Sequence, residues 1–318
     1  MSTTSADLER AVHAVIHDCL AVREGEDALV ICNPVTERIG ETMRDAAHAV
    51  GAEAVLAIMT ERASHAAEPP PTVANAMLRA DVILAPTVQS LSHTAARNAA
   101  TDAGARVATL PGVTEEMLAR AMSADVEGLR RRVKAVAEAL DVAREATIAS
   151  ADGAVLSLDL GGRPGIPDSG DIRERGTFGN LPCGEGFISP ASGEGLLVVD
   201  GSIASIGKVS EPARLTVEDG RLVAATGPEG ERLFELLSAH GEDGTRIAEL
   251  GIGTNEKAIL TGEILEDEKI LGSCHVAFGA SAGIGGSVRV PVHLDCVVTR
   301  PDVALDGEPL IRGGELLT

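Results

Sequence analysis

Four short, uninterrupted apolar runs dominate the first third of the chain, and they constrain the fold more than any other feature of the sequence. They are Ala28–Cys32, Ala54–Met59, Val82–Ala85 and Val107–Leu110. Segments of helical or loop composition separate them, including a helix predicted around Glu37–Val50. Strands that are apolar on both faces and alternate with helices form parallel sheets covered by helices. The N-terminal half is therefore predicted to be a doubly wound α/β domain.

The pattern changes near the middle of the chain. A long helix is predicted from about Ser123 to Ala149, where apolar residues recur at intervals of three and four. From residue 151 Gly and Pro increase and strands dominate, and Asp219-Gly220 and Asp306-Gly307 are two-residue hairpin signals. We therefore expect two domains, an N-terminal α/β domain at 1–150 and a C-terminal α+β metal-binding domain at 151–318.

Charge and composition exclude several classes of partner. The formal net charge is −21, which argues against nucleic acid and against an anionic membrane surface, because both need a clustered basic surface. Neither a signal peptide nor an apolar run long enough to span a bilayer is present, so a soluble, cytoplasmic protein is expected. The five cysteines are odd in number and form no CxxC pair, which fits a reducing compartment.

The strongest local indication of chemistry is a His-x-Asp pair in the predicted strand Val292–Val298. Side chains alternate across a strand, so the apolar residues of this run share a core face while His293 and Asp295 share the other. Such a pair can offer a nitrogen and an oxygen to one metal ion. Two alternatives stay open on spacing alone: the aspartate orients the histidine, or both side chains are solvated.

Three more candidate ligands occur in the second half, each with a structural alternative. His275 lies in an apolar, strand-like run, where a core histidine is the simplest interpretation. Glu249 lies in another apolar run and needs either an arginine or a metal ion, because an ionised glutamate is rarely buried unpaired. Glu185 lies in a turn-rich loop, where most carboxylates are solvated. Oxygen- and nitrogen-rich sets suit zinc or similar divalent ions, and a bridging carboxylate allows two.

An acidic cluster, Glu263, Glu266, Asp267 and Glu268, is a source of one more ligand. Glu263 and Glu266 are expected to lie in an exposed acidic turn.

Other candidates are weaker. His13 and His17 are an i, i+4 pair on the rim of a helix, where solvation is the favoured interpretation. His93 follows a predicted strand and is a candidate substrate contact. The stretch Gly279–Gly286 is interpreted as a flexible loop that lines the substrate entrance. Gly251-Ile-Gly253 is too short to be a dinucleotide-binding fingerprint.

Five ordered motifs carry a resemblance to a known family. They are Asn180-Leu-Pro-Cys-Gly-Glu185, Ala248-Glu249-Leu-Gly-Ile-Gly-Thr-Asn255, Leu260-Thr-Gly-Glu-Ile-Leu-Glu-Asp-Glu-Lys269, His275-Val-Ala-Phe-Gly279 and His293-Leu-Asp295. With them the chain resembles the thermophilic metallopeptidase family of aminopeptidase T, often labelled leucyl aminopeptidase. The resemblance covers the whole second domain and extends more loosely into the first.

This resemblance implies a homodimer with a dinuclear metal centre, commonly zinc or cobalt, with iron or manganese as alternatives. The ligands it implies are Glu185, Glu249, His275, His293 and Asp295, with Glu268 as a sixth. Glu249 would bridge the two ions, and a metal-bound hydroxide would attack a substrate amide while a free carboxylate handles the proton. Glu185 and Glu249 are thus the implied catalytic residues, and the expected substrate is a peptide or a small molecule.

Two departures from that family leave other reactions open. The chain is shorter than the aminopeptidases, and it contains no tyrosine, whereas they carry one shortly after the histidine that matches His275. A second hypothesis is a mononuclear iron, ring-cleaving enzyme, because 2,5-dihydroxypyridine dioxygenase is similar over the His-x-Asp motif. A histidine at the position of Glu249 is expected there, so Glu249 favours the hydrolytic branch. A hydrolase of a non-peptide small molecule and a non-catalytic binding protein are the remaining alternatives.

Overall fold

The computed structural model describes residues 4–317, which divide into two compact units. Unit 1 comprises the residues up to Ala124 together with Gly170–Cys183, and unit 2 comprises Asp125–Ser169 and the residues from Gly184 onward. The predicted α/β class, with a parallel sheet followed by antiparallel sheets, is confirmed. The chain passes between the units three times. The division into domains at 1–150 and 151–318 stays a prediction.

The helices within residues 4–317 are short, apart from one of 17 residues. They are α1 (Ser5–Ala14), α2 (Glu37–Ala49), α3 (Pro71–Met77), α4 (Ala95–Asp102), α5 (Glu115–Ala121), α6 (Val126–Val142), α7 (Pro228–Ser238), α8 (Gly241–Gly244) and α9 (Ile264–Asp267). A π-helical segment, Val15–Cys19, continues α1, and a 3₁₀ turn, Pro34–Thr36, precedes α2.

The strands supply three sheets. They are β1 (Asp27–Cys32), β2 (Glu53–Ile58), β3 (Val82–Ala85), β4 (Arg106–Thr109), β5 (Glu145–Ala149), β6 (Val155–Asp159), β7 (Ile166–Asp168), β8 (Phe178–Asn180), β9 (Glu185–Ile188), β10 (Ser192–Val199), β11 (Ser202–Ile203), β12 (Gly207–Lys208), β13 (Ala213–Glu218), β14 (Arg221–Thr226), β15 (Ile247–Gly253), β16 (Cys274–Gly279), β17 (His293–Val298), β18 (Asp302–Leu305), β19 (Glu308–Arg312) and β20 (Glu315–Leu316).

Unit 1 is built on a five-stranded parallel sheet with the order β2-β1-β3-β4-β8. The four predicted apolar runs form β1 to β4, and β3 and β4 are buried along their whole length. Strand β1 pairs with β2 on one side and β3 on the other, which is the order reversal of a doubly wound sheet. The fifth strand, β8, is contributed by a segment far along the chain and has no counterpart in the prediction.

Unit 2 contains two antiparallel sheets. One has the order β14-β13-β10-β6-β5-β18-β19-β20 and the other β12-β11-β17-β16-β15-β9-β7. Both predicted hairpins form: Asp219 and Asp306 have φ of 49° and 50°, and the glycines that follow them are also left-handed, as this turn requires. One apolar cluster includes buried side chains from both sheets, such as Leu215 of β13 and Phe278 of β16.

The long predicted helix is shorter than expected. Helix α6 ends at Val142, and the residues up to Ala149 form strand β5 instead. Its apolar stripe stops at Leu140. In β5 the buried residues Ala146 and Ile148 alternate with more exposed neighbours, a period of two that suits pairing with β6 and β18. The change of period inside one continuous run accounts for the error.

Two observations bear on the setting of the protein. No helix within residues 4–317 is long and apolar enough to cross a membrane. All five cysteines are buried, and none of them is in a disulfide.

Candidate metal centre

Three adjacent strands of the seven-stranded sheet present a polar face opposite the core. On β15, β16 and β17 one set of alternate residues joins the apolar cluster, for example Leu250, Val276 and Cys296. The other set carries Glu249, His275, His293 and Asp295, interspersed with small residues such as Ala277. In the register, Glu249 of β15 and Asp295 of β17 both pair with Ala277 of β16. The alternation seen in the sequence therefore places four ionisable groups on one face of the sheet.

A glycine on β15 makes room for one of these groups. Gly251 pairs with His275 across the ladder, and a Cβ at Gly251 would lie 2.1 Å from Cε1 and 2.2 Å from Nε2 of His275. The imidazole therefore lies directly over the glycine. The Gly251-Ile-Gly253 pattern is explained by this steric requirement and by the close approach of the Ile270 backbone to Gly253.

Glu185 is the first residue of β9 and pairs with Gly253. Its neighbours on both sides are glycines with steric roles. Gly184 has φ of 130°, a conformation that favours glycine, and a Cβ at Gly186 would lie 2.7 Å from a methyl carbon of Val136 in α6. The predicted loop residue Glu185 is thus buried, with a side chain only 7% exposed.

Glu249 lies between the two imidazoles. Its Oε1 is 3.5 Å from Nε2 of His275, and its Oε2 is 3.4 Å from Nε2 of His293. The same nitrogen of His275 is 3.3 Å from Oε2 of Glu185, and that of His293 is 3.4 Å from Oδ1 of Asp295. Both Nε2 atoms therefore face carboxylate oxygens.

The other ring nitrogen of His293 is anchored. Its Nδ1 donates to the carbonyl oxygen of Ala280 at 2.7 Å, and since a carbonyl can only accept, the proton resides on Nδ1. A metal-binding histidine is commonly held this way, which leaves Nε2 free to bind an ion.

A buried lysine, absent from the predicted site, completes the cluster. Lys269 is 1% exposed, and its Nζ contacts Glu185 Oε1, lies 2.8 Å from Glu268 Oε1 and 3.3 Å from Asp168 Oδ2. The available signal was a single lysine directly after the acidic cluster, because a buried ammonium requires carboxylate partners.

The donor set fits a divalent metal ion. All six predicted ligands belong to groups whose donor atoms lie within 4.8 Å of one another: Glu185, Glu249 and His275; Glu249, His293 and Asp295; and Glu268, His275 and Asp295. Within the part of the chain that the structure describes, Oε2 of Glu185 is buried and receives no hydrogen bond. A buried carboxylate oxygen beside imidazole nitrogens is what a cation would satisfy.

Burial and mutual charge shift the pKa values of these groups in opposite directions. Burial raises the pKa of Glu185 to about 8, although the charge of Lys269 opposes this. Burial also acts against ionisation of Glu249, but hydrogen bonds from His275 and His293 outweigh it and hold the Glu249 pKa well below its usual range. Burial lowers the pKa of His275, whereas the carboxylates around it, first Glu249, raise it to about 9.

The acidic cluster around α9 is only partly as predicted. Glu263 is exposed, as expected, but the prediction of an exposed Glu266 is wrong. Glu266 is fully buried, and its Oε1 accepts the backbone N–H of Ile259 at 3.1 Å. The carboxylate of Asp267 is likewise occupied locally, by Thr261 among others. Only Glu268 takes part in the metal-binding groups.

The remaining histidine candidates lie elsewhere. His13 and His17 are exposed and stack with ring centroids 4.0 Å apart, and His93 is exposed in a turn of unit 1. Within residues 4–317 none of them belongs to a metal-binding group. The segment between β16 and β17 contains an internal hydrogen bond, in which the hydroxyl of Ser281 accepts the N–H of Val288. The roles predicted for His93 and for Gly279–Gly286 stay predictions.

Comparison with known proteins identifies the relatives of this chain. The model of the family described as NicX: 2,5-dihydroxypyridine 5,6-dioxygenase matches residues 7–318. A 2,5-dihydroxypyridine 5,6-dioxygenase of Pseudomonas putida is 27% identical over 218 residues, which cover 64% of this chain. The match spans 62% of that relative's length, less than two thirds of it.

Two solved structures share the fold. The structure of 2,5-dihydroxypyridine dioxygenase from Pseudomonas putida KT2440 superimposes with a TM-score of 0.86 at 21% identity, covering 100% of this chain and 99% of that one. Wild-type AmpT from Thermus thermophilus gives a TM-score of 0.72 at 18% identity, covering 99% and 100%. The resemblance to aminopeptidase T therefore holds as a likeness of fold.

The main prediction of the reaction class is wrong, and the comparisons support the second hypothesis, a dioxygenase. The expectation of a metallohydrolase, and with it of an aminopeptidase-like metallopeptidase, is overturned by the match to a dioxygenase family. The error came from Glu249, which was expected to favour hydrolysis. A buried carboxylate that shares its two oxygens between two imidazoles is compatible with one metal ion as well as with two. Its presence therefore does not separate the two reactions.

Proposed function

Because the chain belongs to the 2,5-dihydroxypyridine 5,6-dioxygenase family, we propose that it is an iron-dependent dioxygenase that opens the ring of a small hydroxylated pyridine. The observation that carries the proposal is that Asp295 of β17 groups with each of the two imidazoles, with His293 beside Glu249 and with His275 beside Glu268. Two histidines and one carboxylate are the ligand set of many non-haem Fe(II) oxygenases.

We assign His275, His293 and Asp295 as the ligands of a single ferrous ion, in place of the two zinc or cobalt ions that the family resemblance implied. The ion would supply open positions for O₂ and a substrate hydroxyl. The carbonyl of Ala280 keeps the proton of His293 on Nδ1 and presents Nε2 to the site. Glu249, placed between both Nε2 atoms, would hold the two rings in their orientation.

Glu185 is proposed as the group that accepts a proton from the substrate hydroxyl. Its Oε1 is held by Lys269, which fixes the carboxylate, and its Oε2 faces His275 without a hydrogen bond. An oriented carboxylate with one free oxygen can take a proton from a phenol-like hydroxyl within hydrogen-bond reach. Glu185→Gln keeps the shape of the side chain but removes its ability to take up a proton.

The direct test is oxygen uptake. Protein loaded with Fe²⁺ without air should consume O₂ when 2,5-dihydroxypyridine is added, and with isotopically heavy O₂ both heavy atoms should appear in one ring-opened product. Because both atoms of O₂ enter the product, no external reductant is needed. His293→Ala should abolish uptake, and the surface variant His13→Ala, in the other unit, should not.

A different outcome would reveal the alternative. If the protein binds one Fe²⁺ tightly but consumes no O₂ with any member of a panel of hydroxylated pyridines and benzenes, the dioxygenase proposal fails. A non-catalytic metal-binding protein would then be the remaining hypothesis.

Two further expectations accompany the proposal. A homodimer is expected, and light scattering of the purified protein measures it. A cytoplasmic location is supported by five buried cysteines that form no disulfide with one another, which suits a reducing compartment. Fractionation of cells that express the full chain tests the location.

A further inference from the structure

Lys269 is unusual among the basic residues of the chain. Only four of the 27 basic residues are lysines, and the other three, Lys134, Lys208 and Lys257, are exposed. Lys269 is 1% exposed. Removing an ammonium group from water is costly unless carboxylates surround it. Its burial therefore requires an explanation in the local charges.

The number of carboxylates around Lys269 equals the number of N–H donors of its ammonium group. The –NH₃⁺ group has three N–H donors, and three carboxylates surround it: Asp168, Glu185 and Glu268. They come from β7, β9 and the residue after α9, and Asp168 pairs with Glu185 in the ladder. The three carboxylates thus converge on one point, which a compact cation fits better than the planar fork of an arginine.

Two of these carboxylates also belong to the metal-binding groups. Glu185 groups with Glu249 and His275, and Glu268 groups with His275 and Asp295. The contact with Lys269 engages Oε1 of each glutamate. Oε2 of Glu185 stays buried without a hydrogen bond on the side of His275. The ammonium therefore occupies the outer side of a carboxylate cluster whose inner side faces the imidazoles.

We propose that Lys269 stands in the place of a second cation, so that the centre accepts one metal ion and the pocket of Asp168, Glu185 and Glu268 is a latent divalent site. This inference rests on the proposed function in placing the first ion at His275, His293 and Asp295. Oxygen donors of this kind suit Mn²⁺ and Mg²⁺. A tethered ammonium excludes them because it is always present and repels a second positive ion at contact distance.

The test counts bound Mn²⁺, a redox-stable probe, by equilibrium dialysis and electron paramagnetic resonance. Wild-type protein should saturate at one Mn²⁺ per chain and give the spectrum of an isolated ion. Lys269→Met, which keeps the length of the side chain but not its charge, should bind two and give the spectrum of a coupled pair. Lys257→Met, a change at an exposed lysine, should stay at one.

A double variant separates this inference from the proposed function. His293→Ala should lose the first ion, and His293→Ala with Lys269→Met should regain one through the three carboxylates. The inference is measured by the gain of one Mn²⁺ on replacing Lys269, whereas the proposed function is measured by the first ion and by O₂ uptake. Either can fail alone.

Three results would overturn the inference: two Mn²⁺ in the wild type, no gain in folded Lys269→Met, or the same gain in Lys257→Met. If Lys269→Met is unfolded without metal, because the positive charge among three carboxylates is gone, Mn²⁺ should restore its circular dichroism at two equivalents. Failure of Mn²⁺ to restore it would equally count against the proposal.

Discussion

Replacing Gly251 with alanine tests how the sheet positions His275. A Cβ at Gly251 would lie 2.1 Å from Cε1, 2.2 Å from Nε2 and 3.0 Å from Nδ1 of the imidazole, whereas ordinary contacts begin at 3.4 Å. The ring has to retreat by about 1.2 Å (3.4 minus 2.2) to relieve the contact with Nε2. Its retreat breaks the approach of Nε2 to Glu249 and to Glu185.

The size of the effect follows from that displacement. A misplacement of about 1 Å costs about 100-fold in activity when the group takes part in catalysis, and loss of support for a metal ligand lowers metal affinity by about 10- to 100-fold. Overpacking of a dense interior costs about 1–3 kcal/mol of the free energy of unfolding. We therefore expect Gly251→Ala to fold, with reduced stability, and to bind metal at least tenfold more weakly, that being the lower end of the range.

The assay is a competition titration with a metal-sensitive dye, run beside thermal unfolding of the metal-free protein. Gly283→Ala is a matched control, because a Cβ at Gly283 meets no atom within 4 Å. It should leave metal affinity and stability near those of the wild type. If Gly251→Ala binds metal as tightly as the control, the imidazole is not positioned by this contact and the reasoning is refuted.

Three other changes have defined outcomes. Asp295→Ala should abolish metal binding while the circular dichroism of the protein keeps its helical signal; full metal content would contradict the assignment. Without metal, the pKa of His275 is raised to about 9, so its charge stabilises the fold below about pH 6.5 and that stability is lost as the pH rises through 9; thermal melts across this range should show a falling Tm, and His275→Asn should flatten the curve. Gly186→Ala should lower the free energy of unfolding by about 1–3 kcal/mol, measured by denaturant titration, because its Cβ would lie 2.9 Å from the backbone nitrogen of Ala137. An unchanged free energy of unfolding would mean that α6 shifts without cost.

The strand pattern was sufficient to predict one face of the centre. His293 and Asp295 alternate with Leu294 and Cys296, and in the structure the first pair faces the polar cluster while the second lies in the core. Periodicity of two is local information, so it survives in the sequence. Strand β5 was missed for the complementary reason, since its alternating residues directly follow a helix that masks the change of period.

Features that depend on the pairing of distant strands could not be predicted from the local sequence. Lys269 is explained only once Asp168 and Glu185 are brought beside it by β7 and β9. Gly251 looks like a generic turn residue until the register places it under His275. The reaction class was beyond local reasoning as well, because one scaffold with one set of ligands can host different chemistries.

The hydrogen bond from His293 to Ala280 links the metal centre to the segment between β16 and β17. That bond selects one tautomer of the imidazole, and a metal ion at Nε2 selects the same one. The two equilibria are therefore thermodynamically reciprocal: whatever free energy the ion gains from an ordered segment, the segment gains from the ion. Metal loading should therefore slow amide hydrogen exchange at Ser281 and Val288. The factor should equal the loss of metal affinity in a variant whose segment is disordered. Exchange in this connection between the two strands then reports whether the metal site is occupied.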